Sequence, residues 1–427
     1  MPMARAIALC LLASQFLVAS GVSLFVQQPT RALVYSGNAD AFGRGVSFGA
    51  NSLELFVGAP GNNHVYSYYR PNASAEWLPA DQYPCDGCSY NARFGSAIAV
   101  AAWGSVLIIG APGDDSGYGK VYVYTRRANS TIKFAYATVL ASPDRRSDFG
   151  SFGQALRVSP DAKHLLVSAP GGLYSYEGSV HLYSGSAGFK TWRLATSISN
   201  PTGKNLCYFG QGLALSPEGT VAMVGAPGAG LVHIYQLRGT KAPLSLANVS
   251  GPGINFGSAV DFVRSSTGSG DILSLAVGAP GTTYYIFNGT VVVFSNSTGR
   301  FQQTARIALG ESRADYFGST VAYDDHGDTL IVGAPGASNN DGRALVYSTT
   351  TWAVIQTLMP SKDIMYPDAF GATLALWRNG SDVQSPVALV VSAPTSGSLR
   401  GATVTFARNA SSKVMGAAPG RASLHWQ

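Results

Sequence analysis

Residues 94–124 read FGSAIAVAAWGSVLIIGAPGDDSGYGKVYVY, and this stretch decides the fold. Its first part holds two short apolar runs, rich in β-branched residues, around a glycine-containing turn; that reads as a β-hairpin. Its end, from Gly119 to Tyr124, alternates with period two and reads as a third strand. The pattern is stated seven times. Phe-Gly pairs begin at Phe42, Phe94, Phe152, Phe209, Phe256, Phe317 and Phe370. Gly/Ser-Ala-Pro triplets follow at Gly58, Gly110, Ser168, Gly225, Gly278, Gly333 and Ser392. The offset from Phe to triplet is the same in five repeats, as from Phe42 to Gly58, and longer in the two that begin at Phe256 and Phe370. A third run, Gly-x-φ-x-φ-aromatic, then ends at Tyr124, Tyr183, Tyr235, Phe294, Tyr347 and Phe406; the first repeat has Asn63 in place of the glycine.

The pairs recur about every 50 residues, a period that points to an array of supersecondary units. Several repeats add a weaker fourth run, such as 132–139, so each unit reads as a four-stranded antiparallel sheet, the blade of a propeller. One blade cannot hide both its faces; a closed ring of blades can. The expectation is an all-β, seven-bladed β-propeller over residues 21–406, with the Phe of each pair between blades and the Pro of each triplet ending its strand. The last repeat stops after three strands, and residues 407–427 read as a tail. The missing strand is expected from Leu24 to Val26, paired with the run Gly401 to Phe406, so that an N-terminal strand completes the last blade and closes the ring.

The triple pattern resembles the FG-GAP repeat of the integrin α-subunit N-terminal β-propeller, and it covers nearly the whole chain in seven copies. The resemblance implies a seven-bladed ring closed in a similar way. It also implies a calcium loop, Asp-x-Asp-x-Asp-Gly-x-x-Asp, which this chain lacks: its common loops are too short for it, and the two long ones have too few carboxylates in register. No metal and no cofactor are expected.

Arg5 followed by the apolar stretch 6–20 reads as a secretory signal cleaved after Ser20, although the apolar run to Val26 is long enough for a signal anchor. Asn-x-Ser/Thr sequons at Asn72, Asn129, Asn248, Asn288, Asn296, Asn379 and Asn409 agree with export to a secreted or extracellular location and with N-glycosylation. Cys85 and Cys88 form a C-x-x-C, open to a redox, zinc or disulfide reading; with no second pair and no βαβ context, a local disulfide is expected. Cys207 is left over as an unpaired or intermolecular thiol. No apolar segment near the C-terminus suggests a membrane span in the mature chain. Net charge is +6, and the charged residues are few and scattered without runs, which argues against nucleic acid.

No catalytic set is visible, so an enzyme is not expected. His181 and His233 hold the same place in two repeats and read as outer-face strand residues; Asp114 and Asp115 read as turn formers. The loops before the first strand and between the second and third strands gather on one propeller face. They carry Tyr90, Tyr118, Tyr174, Tyr176, Tyr208, Tyr284, Tyr285 and Tyr316, with Arg93 and Asp315 beside them. Tyrosine offers area with a polar handle, so Tyr90, Arg93, Tyr118, Tyr174, Tyr176, Tyr208, Tyr284 and Tyr316 are the candidate partner-binding residues. In the integrin family, rings on this face grip a basic side chain of the β-subunit, a cation–π arrangement. The expected function is a non-catalytic binding or adhesion module for an extracellular protein ligand. Two alternatives remain: a lectin-like propeller that takes a glycan, and a polysaccharide-active enzyme on the same scaffold.

Overall fold

The computed structural model describes residues 25–27, 33–34 and 41–408, apart from 74, 129, 131, 145–149, 172–176, 240, 268–269, 282–288, 298, 310–314, 325–326, 339, 361–368, 378–387 and 395–400. Seven antiparallel sheets follow in chain order. In the second, Ala97–Ala101, Val106–Ala111, Lys120–Thr125 and Ala135–Ala141 lie side by side in sequence order. The other sheets span 46–84, 156–199, 213–250, 259–308, 320–358 and 373–408. The fourth strand of the second blade starts later than the apolar run suggested, because Phe134 turns into the core beside Phe56.

The first strands of the seven blades touch one another in an unbroken cycle, the last (Thr373–Trp377) meeting the first (Val46–Phe48). The fold is therefore a seven-bladed β-propeller. Seven separate hydrophobic clusters fill the seven wedges between neighbouring blades. Second strands such as Val106–Ala111 and Val221–Ala226 are buried at every residue, since a neighbouring blade covers each face. This is why they read as continuous apolar runs rather than as alternation. Fourth strands such as Lys241–Ser250 are mostly exposed at the outer edge.

The three-part pattern has one physical cause in every repeat. All seven motif phenylalanines are fully buried, each in the wedge shared with the preceding blade. Each glycine after them donates its N–H to the carbonyl of the triplet's first residue: Gly43 to Gly58, Gly95 to Gly110, Gly153 to Ser168, and so on to Gly371 and Ser392, at 2.9–3.1 Å. In blades 1, 2, 3, 5 and 6 the aromatic ending the third strand meets the same phenylalanine edge-on, as in Phe94–Tyr124 (6.5 Å) and Phe317–Tyr347 (6.0 Å). A β-bulge falls beside that aromatic in each of the first six blades. Between blades, Gly110 lies so close to Gly153 that a methyl would run into its carbonyl oxygen. Only glycine permits that approach with the second strand still paired. Of the two longer repeats, the fifth uses its added length to extend its hairpin, Ala259–Thr267 against Gly270–Ala279.

At the seam, Trp77 Nε1 donates to Thr405 Oγ1 (2.9 Å), and Thr373 Oγ1 donates to the Arg44 carbonyl (3.2 Å), so blades 1 and 7 are joined. Phe25–Gln27 and Leu33–Val34 both pair antiparallel with the edge of Ala402–Arg408, with Val26 opposite Ala407 and Leu33 opposite Thr403. Among the described residues, no helix is long and apolar enough to cross a membrane.

Candidate functional site

Every repeat enters its first strand by one turn. The residue before the phenylalanine has left-handed backbone in all seven: Ala41, Arg93, Ser151, Tyr208, Asn255, Tyr316 and Ala369, with φ between +50° and +66°. The residue after the motif glycine donates its N–H back to that residue's carbonyl at 3.0–3.2 Å and closes the turn. A side chain in this conformation costs on the order of 1 kcal/mol, a cost met here by the fixed turn. Because the first strands ring the axis, the seven turns form one rim around it.

The loops between second and third strands are fastened to this rim. Gly113 donates to the Ala92 carbonyl (2.9 Å), Gly228 to Cys207 (3.1 Å), Gly281 to Ile254 (3.2 Å) and Gly336 to Asp315 (2.9 Å). The next blade is held from the same loops: Phe152 N–H donates to the Tyr118 carbonyl (2.9 Å) and Phe209 N–H to Glu177 (3.2 Å). Asn63 shows why the first repeat can dispense with its glycine. It adopts φ +58°, and its Oδ1 accepts the Phe94 N–H at 3.0 Å. Asp315 works likewise, its Oδ1 accepting from Phe317 (2.9 Å) and Gly289 (3.1 Å).

Of the candidate partner-binding residues, Arg93, Tyr208 and Tyr316 occupy the same left-handed place in blades 2, 4 and 6. They share the rim but stand two blades apart. Tyr90 is 92% exposed in the loop that leads to Arg93, and its carbonyl accepts from Asn63 Nδ2 (2.9 Å). Tyr118 is half-buried, and its backbone does the work just described. Tyr174, Tyr176, Tyr284 and Tyr285 lie outside the described residues. Among the sequons, Asn72 is exposed in the turn between third and fourth strands, and Asn248 is exposed on the outer strand Lys241–Ser250. Asn296 is half-buried, its Oδ1 accepting from Leu273 (2.7 Å). Asn129, Asn288, Asn379 and Asn409 lie outside the described residues.

Several expectations need correction. His181 and His233 do not face outward. They are buried in the wedges beside Phe152 (5.6 Å) and Phe209 (5.5 Å), at the place Tyr66 and Tyr122 fill in other blades. His181 Nδ1 contacts Ser197 Oγ (2.8 Å), and burial lowers its pKa to about 4. Asp114 is more than a turn former. It is buried, and its Oδ2 accepts from Tyr122 Oη (2.6 Å) while Lys120 Nζ lies 3.3 Å away. Burial works against its charge, yet the hydrogen bonds from Tyr122, Ser89 and Asp115 hold its carboxyl below the usual range. Cys85 and Cys88 are free thiols here, Cys88 Sγ donating to the Cys85 carbonyl (3.3 Å), and burial pushes both thiols up. Cys207 is buried in the wedge between blades 3 and 4, out of reach of a second molecule.

Sequence reading missed Arg44, an exposed residue two places after Phe42. Its signal was its fixed register to the Phe-Gly pair, on the same rim as Arg93.

A family model described as the FG-GAP repeat matches residues 302–347. That span runs from the outer strand of blade 5 through Phe317-Gly318 to the third strand of blade 6. The matched span is one FG-GAP repeat within the seven-bladed ring, a likeness consistent with an integrin α-like propeller. No curated protein is similar enough to this chain to be matched.

Proposed function

We propose that this protein is an exported, non-catalytic binding or adhesion module that engages a protein partner through the rim of Phe-Gly turns. One observation carries the reading: two sets of loops are fastened into a rigid face by the same backbone hydrogen bonds in blade after blade, and that face holds Arg93, Tyr208 and Tyr316 in equivalent positions. Tyrosine and arginine on a preorganised surface are what protein interfaces favour, because little entropy is lost on contact. The left-handed backbone under those side chains is strain of the kind that gathers at functional surfaces. The groups with displaced pKa values, such as Tyr83, Tyr124 and His181, are shifted chiefly by burial inside the blade walls. That is the pattern of a packed scaffold rather than of a tuned acid–base pair. Export is supported by the apolar N-terminal stretch, by the sequons and by the occurrence of FG-GAP repeats in extracellular and surface proteins.

The test is capture of cell-surface and extracellular proteins on the glycosylated chain, followed by affinity measurement with the identified partner. Arg93→Ala/Tyr208→Ala/Tyr316→Ala should abolish that binding, and the outer-strand variant Arg193→Ala should leave it. Unchanged affinity in the triple variant would defeat the reading. Carbohydrate binding remains the second reading because the Tyr90 ring is almost wholly exposed and could stack on a sugar; a glycan array separates the two.

A further inference from the structure

The turn of blade 1 ends at Arg44 and that of blade 2 begins at Arg93. Gly45, beside Arg44, lies against the Gly95 carbonyl and Ser96, so the two turns adjoin. Both backbones are pinned: Thr373 Oγ1 donates to the Arg44 carbonyl at 3.2 Å, and Ser96 Oγ to the Arg93 carbonyl at 2.7 Å. Both side chains are exposed. Three other cations are paired with carboxylates: Arg126 with Glu54 (2.6 Å), Lys120 with Asp114 (3.3 Å) and Lys163 with Asp161 (3.0 Å). Arg44 and Arg93 have no carboxylate partner among the described residues. Instead, although the residue as a whole is exposed, burial of the Arg44 guanidinium and then the charge of Arg93 hold it below its ordinary pKa. Two like charges on adjoining turns repel, and an anion set between them relieves that repulsion.

We propose that Arg44 and Arg93, on adjoining turns of blades 1 and 2, form a receptor for a carboxylate on the protein partner, so that the rim grips an acidic side chain. The guanidinium fork matches a carboxylate with two parallel N–H···O bonds, and two forks on fixed backbone can share one. This reverses the charge of the family's arrangement, in which rings take a basic side chain. It rests on the reading of the rim as the partner face. A carboxylate is favoured over a sulfated polysaccharide because the cationic feature is one adjoining pair. A polysaccharide chain would need a continuous basic track, and the nearby Lys120 is already held by Asp114.

The experiment uses the full mature chain and fluorescence anisotropy with a fluorescein-labelled hexaglutamate peptide, with hexalysine and hexaglutamine peptides as controls. The wild type should bind hexaglutamate in preference to both. Arg44→Gln/Arg93→Gln should weaken that binding by about tenfold or more, the scale of a lost charge-assisted hydrogen bond, and Arg193→Gln should leave it within about twofold. If the double variant is misfolded by circular dichroism, Arg44→Lys and Arg93→Lys, which keep charge and lose the fork, should each weaken binding. Equal weakening by Arg193→Gln, no weakening by the arginine variants, a preference for hexalysine, or arginine-dependent binding of a sulfated oligosaccharide without hexaglutamate binding would overturn the proposal. If the Tyr208/Tyr316 variants lose the protein partner while the arginine variants keep it, the rim reading stands and the carboxylate receptor falls. If the arginine variants lose both hexaglutamate and the partner while Tyr208→Ala/Tyr316→Ala keeps the partner, the receptor stands and the wider rim reading falls.

Discussion

Replacing His181 with valine should make the protein less sensitive to acid. His181 is 1% exposed, in the wedge between blades 2 and 3, and its pKa is lowered to about 4. Burial is the main cause, with a smaller opposing pull from the Asp144 charge. In the unfolded chain a histidine titrates near its ordinary value of about 6.5. The folded protein thus excludes a proton that the unfolded chain binds as pH falls below that value, and stability drops until pH nears the folded pKa. Between pH 7 and pH 5 this one group removes about 2 kcal/mol, a sizeable share of a marginal total. Valine is a fair replacement, because Val292 and Val404 hold the equivalent strand position in blades 5 and 7 and are buried there. Ser197 is exposed and can bond to water once the ring is gone. Urea unfolding of wild type and His181→Val at pH 7, 6 and 5 provides the measurement. The wild-type midpoint should fall more steeply, the difference between the two proteins changing by about 2 kcal/mol across the range. Carboxylates titrate alike in both and cancel. Parallel curves would show that His181 is not buried neutral and would refute the packing of that wedge.

Three further perturbations probe other contacts. Gly110→Ala places a methyl against the Gly153 carbonyl and should cost about 2 kcal/mol or more by urea midpoint, whereas Gly87→Ala, with open space at its Cβ but a positive φ, should cost only about 1 kcal/mol. Trp77→Phe removes the donor to Thr405 at the seam between blades 7 and 1; a loss of about 1 kcal/mol is expected, with hydrogen exchange rising first in the strand Ala402–Arg408. Glu54→Gln breaks the two-pronged contact with Arg126, at 2.8 and 2.6 Å, that joins blades 1 and 2 where Arg126 lies over Phe134; the melting temperature should fall with a stability loss of about 2 kcal/mol.

The ring was legible because its three signals belong to one contact set that recurs from blade to blade, the glycine–triplet bond in all seven. The glycine N–H, the triplet carbonyl, the phenylalanine and the third-strand aromatic touch within one blade, so their spacing cannot drift in sequence. Other features left no such trace. The left-handed residue before each phenylalanine is Ala, Arg, Ser, Tyr, Asn, Tyr and Ala in turn. Only Asn255 belongs to a type that favours that backbone, so composition gave no warning and register alone could have. His181 and His233 were misplaced because a strand covered on both faces loses the polar–apolar alternation by which an outward side is recognised. Of the rim, the tyrosines and Arg93 were legible as loop residues. Arg44 was not, since nothing local marks a lone arginine as the neighbour of another a whole repeat away.

Hydrogen exchange at the seven motif glycines tests the central claim most directly. In a closed ring, Gly43, Gly95, Gly153, Gly210, Gly257, Gly318 and Gly371 make the same bond in the same setting, and no blade is an end. Their opening free energies should agree within about 1 kcal/mol and approach the global value, as expected of one cooperative unit. Rapid exchange confined to Gly43 and Gly371, with slow exchange between them, is the fraying of a linear array. That result would contradict the ring and the rim built on it.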